Sequence, residues 1–143
     1  MNSTISERYS DLILIPTDFS KACENALIHG LELAKLLHFK VCLLHIVVNE
    51  KRGIFNKNIG AFTILKELNA IKARYATEYP VEIEVLVMNG KLLEVIEQVA
   101  TENKASFIIL GTHKKRGSQH YFGNLVLKNK IDAPCPVINV QLM

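Results

Sequence analysis

Three observations predict an α/β fold, a five-stranded parallel doubly wound sheet with helices on both faces. The first is a set of short apolar runs without strict alternation, "DLILIPTD" (11–18), "KVCLLHIVV" (40–48) and "SFIILGT" (106–112), the pattern of strands buried on both faces. The second is that the segments between successive strands repeat their apolar residues at helical spacing. The third is the strict alternation of the two kinds of segment, β-α-β-α-β-α-β-α-β, which implies crossover connections and a parallel sheet. Right-handed crossovers then leave few topologies.

Taken in order, the first strand is closed by Pro16 and Asp18. The helix that follows, 19–37, repeats Ala22, Ala26, Leu27, Leu31, Ala34 and Leu37 on one stripe, with Ser20 as its expected N-cap. Gly30 inside that helix costs about 1 kcal/mol against alanine, which points to close packing on the sheet. After the second strand, residues 49–59 are polar and read as a loop. A second helix over 60–76 is marked by Leu65, Leu68, Ile71 and Tyr75. Residues 80–90 alternate, Val81, Ile83 and Val85 against Glu82 and Glu84, as expected of a strand nearer the sheet edge. The third helix, 91–105, runs through Leu92, Val95, Ile96 and Val99. A fourth, less regular helix is expected over 119–131, and "CPVINVQLM" (135–143) ends the chain as a strand.

The chain has 143 residues, 49% hydrophobic and 22% charged, the size and composition of one domain with a real core. Residues 1–143 are expected to form that single domain, with 1–10 as a flexible lead-in. No run approaches the roughly 18 apolar residues of a membrane span, and the polar start "MNSTISERYS" has no signal-peptide core, so a cytoplasmic protein without membrane contact is expected. Cys23, Cys42 and Cys135 share no C-x-x-C spacing and read as packed thiols. A net charge of +3 is too mild for the footprint of a nucleic-acid binder. The charge is nevertheless concentrated, with His113, Lys114, Lys115 and Arg116 in succession.

In a sheet of this kind ligands bind beyond the carboxyl ends of the strands, where the strand order reverses. The unusual residues stand there. Pro16-Thr17-Asp18 ends the first strand and Gly111-Thr112-His113 ends the fourth. If the two strands are neighbours, the segments face each other across one crevice. Asp18 has two readings, a ligand-facing carboxylate or a cap on the following helix, where it competes with Ser20. His45, at the end of the second strand, reads as a residue packed beneath the crevice. The five histidines show no metal spacing, and neither a G-x-S-x-G elbow nor a G-x4-G-K-[ST] loop is present, so no catalytic residue and no metal is assigned. A phosphoacceptor receiver domain is disfavoured because the third strand ends in "VMNG", without an acid. A flavin module is disfavoured because "PTDFSKA" has no glycine for a phosphate loop.

The pieces "ILIPTDFS", "LLHIV", "GTHKKRG" and "APCPVINV", spread over nearly the whole chain, resemble the universal stress protein family. The resemblance implies strand order 3-2-1-4-5, a homodimer through the terminal strand (136–142), and a role as a non-enzymatic stress-response module. One branch of the family binds ATP through G-x2-G-x9-G-[ST] after the fourth strand and an aspartate after the first. Carried over, this implies an adenine nucleotide held by Pro16, Thr17, Asp18, Ile46, Val47, Gly111, Thr112, Lys114, Gly117, Gly123 and Asn124. The loop departs from the motif. Lys114 stands at the second glycine, Asn124 at the final Ser or Thr, and the loop is one residue short. Lysine gives up backbone approach to an anion but offers an ammonium charge in its place. The alternative is a member without nucleotide that acts through its dimer surface.

Overall fold

The computed structural model describes residues 11–48, 57–113 and 131–142, and for 57–59 the backbone alone. Five parallel strands form one sheet in the order β3-β2-β1-β4-β5. They are β1 (Leu12–Pro16), β2 (Lys40–Val47), β3 (Ile83–Asn89), β4 (Phe107–His113) and β5 (Val137–Leu142). Three helices are described, α1 (Lys21–Leu37), α2 (Lys57–Ala76) and α3 (Leu92–Glu102). The expected fourth helix and the first ten residues lie outside the described residues.

The continuous apolar runs bury both faces of the sheet, as parallel strands require. On one face Ile13, Ile15, Val41, Leu43 and Ile109 pack with Ala26, Leu27, Leu31 and Ala34 of α1 and with Leu68 and Tyr75 of α2. On the other, Leu12, Leu14, Leu44, Ile108 and Leu110 pack with Val95, Ile96 and Val99 of α3. Gly30 does what its position suggested. A Cβ there would overlap Cδ1 of Ile15 and stand 3.3 Å from Cδ1 of Ile109, so its absence lets α1 lie close on the sheet.

Four expectations need correction. Residues 57–59 belong to α2 rather than to a loop, because a helix is located in sequence by its apolar stripe and Lys57 and Asn58 carry none. Pro80–Glu82 precede β3 rather than open it. Proline has no N–H for a ladder, and Glu82 joins β2 only through its carbonyl, which accepts from Val41 N–H. Leu37 and Leu65 continue their stripes but are 40% and 43% exposed. Leu37 stands in the last turn of α1, and Leu65 sits one turn before Leu68, the first fully buried residue among the described side chains of α2. The edge character of β3 is borne out, since among the described residues it pairs with β2 alone.

Candidate functional site

β1 and β4 are neighbours, with Ile13 opposite Phe107 and Leu14 opposite Ile108. From β1 the chain first builds outward to β2 and β3, then returns to place β4 and β5 on the other side. The order therefore reverses between β1 and β4, and their carboxyl ends bring Pro16-Thr17-Asp18 beside Gly111-Thr112-His113. This is the position at which open α/β sheets take ligands.

The β1 end is built by short-range hydrogen bonds that stop the strand and start α1. Thr17 N–H still follows the ladder and donates to the Leu44 carbonyl at 2.8 Å. Thr17 Oγ1 then accepts from Phe19 N–H at 3.0 Å, and Asp18 Oδ1 accepts from Ser20 N–H at 2.9 Å. Hydroxyl and carboxylate side chains closing such turns replace the ladder bonds that the backbone gives up. Ser20 Oγ accepts from Cys23 N–H at 3.3 Å, so Ser20 is the N-cap that its position predicted. Phe19 between them takes φ 66, a left-handed conformation rarely adopted by a bulky residue. Its ring lies 4.8 Å from that of His45, and His45 Nδ1–H donates to the Thr17 carbonyl at 2.8 Å. His45 is thus packed beneath the turn, as expected.

The structure shows the structural reading of Asp18, a carboxylate that closes the turn into α1. Its Oδ1 takes the Ser20 N–H and also the thiol of Cys23, Sγ to Oδ1 3.1 Å. Oδ2 takes no hydrogen bond from the described residues. Burial, and next the charge of Asp18, push the Cys23 thiol up to about 12, so it stays a neutral donor. Burial likewise pushes Cys42 up to about 11. Cys23 and Cys42 are buried free thiols, as the spacing suggested.

The β4 end is built by close approach. A Cβ on Gly111 would overlap the carbonyl of Ala22 and stand 2.9 Å from Cα of Cys23. The first turn of α1 therefore rests directly on β4 at this glycine. Thr112 is 2% exposed, and its hydroxyl donates to Asn139 Oδ1 of β5 at 2.7 Å. The polar Asn139 inside the apolar "PVINV" was the sequence signal for that bond.

The expected site residues are thus divided. Pro16, Thr17, Asp18, Gly111 and Thr112 come together at the carboxyl ends of β1 and β4. Ile46 is 7% exposed and packs into the core on the α3 face, while Val47 is half-buried and its carbonyl accepts from Gly90 N–H. Lys114, Gly117, Gly123 and Asn124 lie outside the described residues. Behind the β1 turn, between α1 and α2, a cavity of about 190 Å³ reaches from Thr17 and Phe19 to the pair formed by Glu24 and Arg74. That pair is 3.4 Å apart, and Tyr75 Oη donates to the same Glu24 oxygen at 2.9 Å. Among the described residues no group of three or more His, Cys, Asp or Glu could hold a metal ion, and no helix is long and apolar enough to cross a membrane.

The sheet order and the helices on both faces define a doubly wound α/β fold. The chain belongs to the universal stress protein family, whose model matches residues 11–141. A curated relative, universal stress protein MJ0531 of Methanocaldococcus jannaschii, is 29% identical, covering 99% of this chain and 89% of the relative. A solved structure of a family protein from Burkholderia pseudomallei is 25% identical, with TM-score 0.67, covering 92% of this chain and 96% of that one. A second, from Archaeoglobus fulgidus in complex with dAMP, is 23% identical, with TM-score 0.63, covering 92% and 97%.

Proposed function

We propose that the crevice binds an adenine nucleotide, ATP or a relative of it, and that the protein is a non-enzymatic regulatory module of the stress-response type. The carrying observation is the juxtaposition of Asp18 and Gly111 at the point where strand order reverses. Solved proteins of this fold were obtained with dAMP, with AMP bound and with cAMP, which supports adenine as the base. In this reading Asp18 accepts a hydrogen bond from the adenine or ribose through Oδ2. The backbone at Ile46 and Val47 walls the base. Thr112, Gly117, Gly123 and Asn124 surround the phosphates, with Lys114 supplying charge in place of backbone approach. Thr112 enters through its backbone, since its hydroxyl is engaged by Asn139.

Mass spectrometry of nucleotide released from the purified protein, followed by calorimetric titration with ATP, ADP and AMP, tests the reading. Lys114→Ala is expected to weaken ATP binding by roughly 1–2 kcal/mol, the scale of one charge-assisted hydrogen bond. Lys114→Gly binding ATP much more tightly than the parent would show that the lysine blocks the site.

A second reading rests on β5. Val137, Ile138 and Val140 of this edge strand are only half-buried, and among the described residues β5 pairs with β4 alone. Exposed edges of this kind pair or are protected. A homodimer through 136–142 would cover it and would serve as the functional surface whether or not nucleotide binds. A monomer mass by light scattering at high micromolar concentration would reject the dimer.

A further inference from the structure

We infer that Gly111 is a positioning residue for the Asp18 carboxylate, acting through the first turn of α1. The inference rests on the nucleotide reading above and deepens it. A glycine near the end of the fourth strand is most simply a place where backbone approaches phosphate. Here its open side is filled by the protein itself. The atoms that a Cβ would meet are the Ala22 carbonyl and Cα of Cys23, backbone atoms of a helix and not the ends of flexible side chains. Ala22 and Cys23 are 0% and 1% exposed. Further along the same helix Gly30 is held against Ile15 and Ile109. An added methyl at residue 111 must therefore lift the first turn of α1 away from β4.

That turn carries the orientation of Asp18. Cys23 Sγ–H donates to Asp18 Oδ1 at 3.1 Å, Ser20 N–H donates to the same oxygen at 2.9 Å, and Ser20 Oγ accepts from Cys23 N–H at 3.3 Å. The three bonds close a ring through Asp18, Ser20 and Cys23. Oδ1 is consumed, and Oδ2 is the oxygen left to accept from a ligand. The Sγ contact is a weak thiol donor, and hydrogen bonds weaken steeply once stretched or bent. Displacing Cys23 turns the carboxylate. Gly111 thus serves the adenine end of the crevice, across the strand boundary from the aspartate it positions.

Titration with adenosine and ATP separates this role from a phosphate role. In Gly111→Ala, affinity for both is expected to fall by the same factor, about tenfold, the worth of one well-placed hydrogen bond. Cys23→Ala leaves β4 untouched and carries the test where Gly111→Ala does not fold. It is expected to lose both ligands about threefold, with Cys23→Ser, which restores a donor, returning to within about twofold of the parent. A Gly111→Ala protein, or a Cys23→Ala protein, that loses ATP while keeping adenosine at the parent level overturns the inference. A ligand-free readout keeps it distinct from the nucleotide reading. The Ser20 amide resonance is expected to move in Gly111→Ala in the same direction as in Asp18→Ala. A Ser20 amide unmoved in Gly111→Ala rejects the coupling even if the parent binds ATP. If the parent binds neither ligand the nucleotide reading fails, and the Ser20 amide alone decides the coupling.

Discussion

Helices α1 and α2 lie on the same face of the sheet but are held very differently. α1 buries seven residues from Ala22 to Ala34 over its 17 positions. α2 is longer, at 20 residues, yet only Leu68 and Tyr75 are buried among its described side chains, and Phe62 is 71% exposed. The difference follows from where each helix stands. α1 crosses the central strands and touches β4 at Gly111 and Ile109. α2 serves β3, the edge strand, and meets α1 at its far end through the Glu24, Arg74 and Tyr75 contacts. The end of β1 is therefore backed by the more deeply buried member of the pair, because Ser20 and Cys23 at the start of α1 hold Asp18.

Substitutions can break or sharpen this contrast. The largest effect is expected from a matched pair of leucines. Leu31→Ala, at 0% exposure, should cost about 2–5 kcal/mol in urea unfolding, whereas Leu65→Ala, at 43%, should stay within about 0.5 kcal/mol. Equal losses would mean that α2 is as firmly packed as α1. Next comes Gly30→Ala. Alanine gains about 1 kcal/mol of helix propensity, but overpacking against Ile15 and Ile109 costs about 1–3 kcal/mol, so a net loss of roughly 1 kcal/mol is expected.

A pH effect of similar size belongs to α1. The folded pKa of Cys23 is raised from 9.0 to about 12, so the neutral thiol is favoured in the native state. Stability from this group is fully present below pH 9.0 and is lost as pH rises towards 12, at about 1.4 kcal/mol per pH unit. Urea midpoints measured from about pH 8 to about pH 10 should therefore fall more in the parent than in Cys23→Ala. The smallest effect is a gain. Beyond the helix's own backbone, no atom of the described residues lies within 4 Å of a Cβ at Gly60 in α2, so Gly60→Ala should raise stability by about 0.5–1 kcal/mol, visible as a higher melting temperature.

Much of this architecture was legible in the residues, for reasons that also mark the limit. Uninterrupted apolar strands and periodic helices follow from burial on both faces of a sheet, and Ser20 and Gly30 carry their reasons in their chemistry. Leu37 and Leu65 misled because periodicity reports which side of a helix is apolar, not where its neighbours end. At the site, Asp18 and Gly111 were visible as unusual residues at strand ends. What they do to each other was not. The tie runs through Cys23, which reads as an ordinary packed thiol until the turn places its sulfur 3.1 Å from the carboxylate. Asn139 was a polar residue in an apolar strand, and only the register of β4 and β5 gives it Thr112.

The central claim is that the end of β1 and the end of β4 form one adenine-nucleotide site. Titrating ATP into isotopically labelled protein and following the backbone amide resonances tests it most directly. Saturable shifts are predicted for Thr17, Asp18, Phe19 and Ser20 together with Gly111, Thr112 and His113, with the amides of α2 from Leu65 to Arg74 unmoved. Shifts confined to α2, or none at millimolar ATP, would contradict it.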